Sequence, residues 1–154
     1  MMYAAEAKRI RDALGSNVLL LEHVGSTSVP GLAAKPIIDM VMAVENSALE
    51  ADYVPSLEAI GYTVRLREPD LYEHRMLIPP DVPGHLHVHS AGCVEINRLI
   101  LFRDWLRTHP EDRIAYENTK RRLAAQTWKY GQHYADAKTE IVQAILARAG
   151  GNAL

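Results

Sequence analysis

Residues 36–44, PIIDMVMAV, are apolar at every position but one. An apolar run of this length without alternation predicts a strand covered on both faces. Asp39 is the exception. An ionised carboxylate lodged there without a partner costs several kcal/mol, so it must meet a cation or hydrogen-bond donors.

A second apolar run, NVLLLEHV at 17–24, precedes it, and GSTSVPG at 25–31 joins the two. Gly25 lets the chain turn as it leaves a strand, and three hydroxyls follow at Ser26, Thr27 and Ser28. If a helical turn starts there, its N–H groups and dipole favour an anion by about 0.3–1 kcal/mol. Lys35 would add a point charge. A phosphate gripped by the turn and a Mg²⁺ ion on Asp39 are then two halves of one site, because such ions are held by one or two carboxylates plus substrate phosphates. The plainer reading is a common Gly-Ser-Thr turn and an aspartate hydrogen-bonded to a loop.

Elsewhere the pattern predicts a helix over Tyr3–Leu14 closed by Gly15, and a short helical turn over 32–34. A helix capped by Asn46 or Ser47 runs to Ile60, with Pro55 either starting or breaking it. Three further strands are expected at 62–66, 72–78 and 85–89. From Asn97 the period is helical. Leu99, Phe102 and Leu106 share a stripe beside Trp105, and Pro110, Glu111 and Asp112 open a second helix. A third helix has Tyr134, Ala137, Ile141, Ala144, Ile145 and Arg148 on one side. The expectation is a single α+β domain over 1–154. Strands and helices mix over 1–96, and a helical third occupies 97–149.

A net charge of −2 gives no case for general nucleic-acid binding, and the few aromatic residues are not interleaved with basic ones. Cys93 stands alone, so no internal disulfide can form. No stretch approaches the roughly 20 apolar residues of a membrane span, and the first 15 residues carry charges throughout. A cytoplasmic protein is expected.

His85, His87 and His89 alternate, so on a strand all three face one side, with Cα atoms roughly 6.5–7 Å apart. They are polar residues on a wet face, or a general base, or, with Asp39, a nitrogen-and-oxygen metal site suited to Zn²⁺ or Mn²⁺. Arg98, Arg103 and Arg107 lie on one helix and are either phosphate ligands or a solvated face paired with acids. Lys120 and Lys138 reach a phosphate or pack on the tyrosines four residues earlier.

EHVGSTSVPGLAAKPIIDM resembles the signature of the GrpB family of small bacterial proteins, which belongs to the nucleotidyltransferase superfamily with its polymerase-beta-like fold. HLHVH at 85–89, LFRDWLRTHP at 101–110 and the pairs Tyr116/Lys120 and Tyr134/Lys138 extend the likeness over nearly the whole chain. The resemblance implies a mixed sheet flanked by helices. It implies that Ser26 and neighbouring N–H groups contact a nucleotide phosphate and that Asp39 holds a metal. The superfamily pattern has a second acid two residues on, where this chain has Val41. Paired carboxylates hold the two ions of two-metal phosphoryl transfer, so one partner is missing.

The function so implied is transfer of a nucleotidyl group from a nucleoside triphosphate to an unidentified acceptor. Mg²⁺ or Mn²⁺ sits on Asp39, and His85 or His87 assists. Gly25, Ser26, Thr27, Ser28, Lys35, Arg103, Lys120 and Lys138 contact substrate. The alternative is an inactive module that binds a nucleotide or a phosphorylated metabolite. Coenzyme A chemistry enters because some relatives are fused to a dephospho-coenzyme A kinase. A metal-dependent hydrolase is the weaker alternative. A third acid beside Asp39, from Glu68, Asp70, Glu73 or Glu95, would favour catalysis, and its absence would favour binding.

Overall fold

Both faces of Ile38–Val44 are covered for most of its length, and the rest of the chain is arranged about that strand. The computed structural model describes residues 2–30, 37–70, 73–125 and 131–149. Five strands form the sheet: β1 (Leu20–Val24), β2 (Ile38–Val44), β3 (Thr63–Glu68), β4 (His74–Ile78) and β5 (Gly84–Ser90). Their order is β1-β2-β5-β4-β3. β2 and β5 run parallel, and the other neighbours are antiparallel. Five α-helices complete the described fold: α1 (Met2–Leu14), α2 (Val54–Ala59), α3 (Val94–Thr108), α4 (Pro110–Ala124) and α5 (Gly131–Arg148).

The strand period of two divides β2 between two cores. Ile38, Met40, Met42 and Val44 join Ile10 and Leu14 of α1 and Val54 and Leu57 of α2. Val41 and Ala43 face the other way, onto Ile96 of α3 with Val24 of β1. Asp39 shares that second face, but it stands near the strand's start and its side chain remains 32% exposed. The expected burial therefore holds for Val41, at 0% exposure, and only in part for the aspartate.

A third cluster joins the C-terminal helices to the turn region: Val29, Leu106, Tyr116 and Ile145 are buried together, with Phe102, Trp105 and Ile141 against them. Ala144, expected on that side, is exposed, and Leu146, which was not expected there, is buried. Arg148 pairs with Asp112 at 2.6 Å, and the Trp105 Nε1–H donates to the same carboxylate.

Two departures from expectation have a local cause. β1 starts at Leu20 because a 3-10 turn over Gly15–Asn17, opened by Gly15 at a φ of +56°, comes first. The helix expected over 47–60 is two pieces, a 3-10 turn at Glu50–Asp52 and α2. Ser47 does not cap it, because its hydroxyl donates to the Glu73 carbonyl. Pro55 lies in the first turn of α2, where its missing N–H costs nothing. The turn expected at 32–34 lies outside the described residues.

Glu50 fastens that region to β3 and β4. Its carboxylate accepts from Arg67 Nε at 2.9 Å and Arg75 Nε at 2.8 Å. Hydrogen bonds from Arg67 and Arg75 hold its pKa down, from 4.5 to about 2. A depressed carboxyl stabilises the fold fully above its ordinary value and loses that contribution as pH falls from about 4.5 to about 2. Urea unfolding followed against pH should therefore show a shallower acid decline for Glu50→Gln than for the parent chain. Parallel declines would contradict this.

Candidate functional site

The turn after β1 is closed by its own side chains. Gly25 has φ +75°, a conformation glycine adopts at little cost. A 3-10 turn over Ser26–Ser28 follows, with the Ser28 N–H and hydroxyl both donating to the Gly25 carbonyl. The Thr27 hydroxyl donates to the Ile37 carbonyl at 3.2 Å, so it accepts from His23 Nε2 at 2.9 Å. His23 is stacked on Tyr3 at 4.8 Å. Burial, together with the nearby Arg107 and Arg103, holds its pKa below the ordinary histidine value. The hydroxyls of Thr27 and Ser28 thus already serve the turn. The side chain of Ser26, and all of Lys35, lie outside what is described.

Asp39 points at this turn. A Cβ built on Gly25 would stand 2.7 Å from Asp39 Oδ2, so the Asp39 side chain lies hard against the glycine. Its other oxygen faces β5. Parallel register sets Asp39 opposite His85 and Val41 opposite His87. His85 Nδ1 lies 2.9 Å from Oδ1 and donates to it. His87 Nε2 is 3.7 Å from the same oxygen, too long for a hydrogen bond and close enough for charge to act. Burial alone would raise the carboxyl's pKa, but the imidazoles of His87 and His85 outweigh it, and the value falls below the ordinary aspartate range.

The polar row continues across the sheet. His87 Nδ1 lies 2.9 Å from His74 Nε2, and His74 Nδ1 lies 2.7 Å from Glu68 Oε1. His74 was not singled out in the sequence. Its relation to the HLHVH strand depends on which strands pair, and no local pattern gives that. The third of the alternating histidines, His89, stacks on His74 at 4.9 Å and is buried.

The arginines brace the site. Arg103, 8% exposed, donates to Glu22 at 3.0 Å, to Asp104 at 2.9 Å and to the His23 carbonyl at 3.0 Å. Arg107 grips the Ser28 carbonyl with two N–H groups at 2.9 and 2.8 Å. Arg98 lies 3.8 Å from Glu95. Lys120 stands over the Tyr116 ring at 5.3 Å, and the side chain of Lys138 is outside what is described. Of the expected site residues, the structure therefore brings together Gly25, Asp39, His85 and His87.

Of the acids weighed as a third carboxylate, Glu68 joins the polar row, and it stops two imidazoles short of Asp39. Among the described residues no three or more His, Cys, Asp or Glu form a ready-made metal cage. Asp39 with His87 nevertheless suits one dication that takes its remaining ligands from phosphate and water. A cavity lined by Ser16, Asn17, Glu45, Asn46 and Asp52 sits at the opposite end of β2 and does not touch this face.

A family model described as GrpB protein matches residues 1–148. The chain belongs to the GrpB family. A UPF0157 protein of Halalkalibacterium halodurans is 56% identical over 96% of this chain and 76% of its own length. One from Streptomyces coelicolor is 47% identical over 96% and 77%. A protein of Mycolicibacterium paratuberculosis named dephospho-CoA kinase is 31% identical over 73% of this chain but only 34% of its own. The crystal structure of the GrpB protein from Enterococcus faecalis superposes with a TM-score of 0.72 at 32% identity, covering 93% of this chain and 92% of that one. Terminal uridylyl transferase 4 from Trypanosoma brucei, with bound GTP, gives a TM-score of 0.59 at 16% identity, over 95% of this chain and 49% of that one. The GrpB fold here is thus α+β and nucleotidyltransferase-like, with a helical C-terminal part. No described helix is long and apolar enough to cross a membrane.

In this GrpB chain the Gly25 contact is testable by comparison with Gly92, which also has positive φ, at +85°, but open space where a Cβ would go. Either alanine adds about 1–2 kcal/mol of backbone strain. Gly25→Ala should cost clearly more than Gly92→Ala in urea unfolding, because it also displaces Asp39. Equal costs would contradict the close approach.

Proposed function

We propose that the chain binds a nucleoside triphosphate with one divalent cation at Asp39 and transfers its nucleotidyl group to an acceptor. The observation that carries this reading is the carboxylate itself. Oδ2 lies against the Gly25 turn and Oδ1 against His85, so a phosphate approaching the turn would meet a negative group that needs a cation to accept it. Mg²⁺ or Mn²⁺, when bound, would neutralise that repulsion and polarise a phosphoryl oxygen.

The chain's own part is then limited and specific. Backbone around Gly25, Ser26 and Thr27 would face the phosphates, since the Thr27 and Ser28 side chains are occupied. Arg107 would hold the turn in place through Ser28 rather than touch substrate. With Nδ1 on Asp39, His85 would take the acceptor's proton on Nε2, and its 38% side-chain exposure suits that role. The likeness to a uridylyl transferase with bound GTP supports the fold of such a site, and the nucleotide is named for that protein alone.

A second reading has its own support. Val41 is fully buried against Ile96, so the position of a second acid is closed to the site. A module that binds a nucleotide or phosphorylated metabolite without turnover needs only one carboxylate. The resemblance to proteins named dephospho-CoA kinase makes a coenzyme A-related ligand one member of that class.

Thermal-shift titrations with nucleoside triphosphates, with and without Mg²⁺ or Mn²⁺, test the site. The parent chain should be stabilised by nucleotide only when the metal is present, and by more than the metal gives alone. Asp39→Asn should abolish the shift while leaving the unliganded melting temperature near its parent value. An unchanged titration in the variant would refute the site. Pyrophosphate release then separates transfer from binding alone.

A further inference from the structure

The histidine row carries a second conclusion, which rests on the reading of Asp39 as a cation ligand and sharpens it. Glu68, as a carboxylate, can only accept, so the hydrogen at 2.7 Å between it and His74 belongs to His74 Nδ1. A neutral His74 then has a lone pair on Nε2. The 2.9 Å contact to His87 therefore requires that His87 Nδ1 donate. His87 is left with its Nε2 lone pair facing Asp39 Oδ1 at 3.7 Å. With both rings neutral, two acceptors face one another, and a cation between them resolves the conflict: a proton on Nε2, the form that lowers the Asp39 pKa, or a metal ion in its place. At ordinary metal–nitrogen and metal–oxygen lengths of about 2.0–2.2 Å, a single ion spans that gap.

We propose that Glu68 and His74 are positioning residues that orient His87 as a nitrogen ligand beside Asp39, so that the site prefers a first-row transition dication to Mg²⁺. The arrangement is the outer shell typical of a metal-bound histidine, whose second N–H is held by an acceptor that fixes ring and tautomer. Imidazole ligation favours cobalt, zinc and their neighbours, with manganese at the weak end of that series, while Mg²⁺ keeps to oxygen. The His74 and His87 rings, with centroids 5.1 Å apart and planes 17° from parallel, meet edge to edge along their hydrogen bond, and His89 stacked on His74 holds the relay in register. Val41 fits the same picture, since the ligand beside Asp39 comes from the neighbouring strand instead of from two residues along β2.

The test titrates the metal-free chain with Co²⁺ and with Mg²⁺, without nucleotide, by calorimetry and by the visible cobalt spectrum. Co²⁺ should bind at least about 10-fold tighter than Mg²⁺. His74→Phe keeps a ring stacked on His89 but offers His87 no acceptor. It should weaken Co²⁺ by about 10–100-fold, change the cobalt spectrum and leave Mg²⁺ binding unchanged. Glu68→Gln, at a more exposed position, should weaken Co²⁺ in the same direction and serves where His74→Phe does not fold. Cobalt no tighter than magnesium, equal losses for both ions, or parent cobalt affinity in both variants would overturn the proposal. The nucleotide site would still stand in those cases, because Mg²⁺-dependent nucleotide binding is read separately.

Discussion

The parallel pairing of β2 with β5 is the constraint on which the site depends. It sets Asp39 level with His85 and Val41 level with His87. Residues level with one another on neighbouring strands share a face. A slip of one residue would move the three histidines to the face occupied by Met40 and Met42, among the apolar contacts with α1 and α2. The register is therefore fixed by hydrophobic burial, and the polar row across β2, β5, β4 and β3 comes with it. Side chains that never touch Asp39, such as Leu86 and Val88, hold its partners in position.

The turn is held from a different direction. α3 reaches across with two arginines, Arg103 onto the end of β1 and Arg107 onto Ser28. Both guanidiniums meet backbone carbonyls, so they fix chain path as well as balancing charge. Below the turn, Tyr3, His23 and Thr27 form a stack and hydrogen-bond chain ending on the Ile37 carbonyl, just before β2. Turn and strand are thus tied together on one side while α3 closes the other. This lets a glycine of positive φ sit hard against a carboxylate without the two drifting apart.

Much of this was legible in the residues. The apolar run of 36–44, interrupted only by Asp39, announced a doubly covered strand, and the period-two histidines announced a polar face. The helical period from Asn97 onward announced the helical last third, and the resemblance to the GrpB family implied the mixed sheet. The partners of each polar group were not legible. Thr27 and Ser28 read as phosphate ligands because a sequence shows hydroxyls and not what they already bond. Arg103 read the same way, since its carboxylate partner Glu22 lies 81 positions away in the chain. His74 drew no notice because only the β4–β5 pairing brings it to His87. Val41 looked like a missing acid, and the fold gives the physical reason: the position is packed under Ile96.

The most direct test is a crystal structure of the chain grown with Mn²⁺ and a non-hydrolysable nucleoside triphosphate, with anomalous data collected for the metal. The account expects an anomalous peak within bonding distance of an Asp39 oxygen and phosphate density against residues 25–27. A nucleotide seated elsewhere, or an Asp39 carboxylate still engaged with His85 and Gly25 and no metal beside it, would contradict the account.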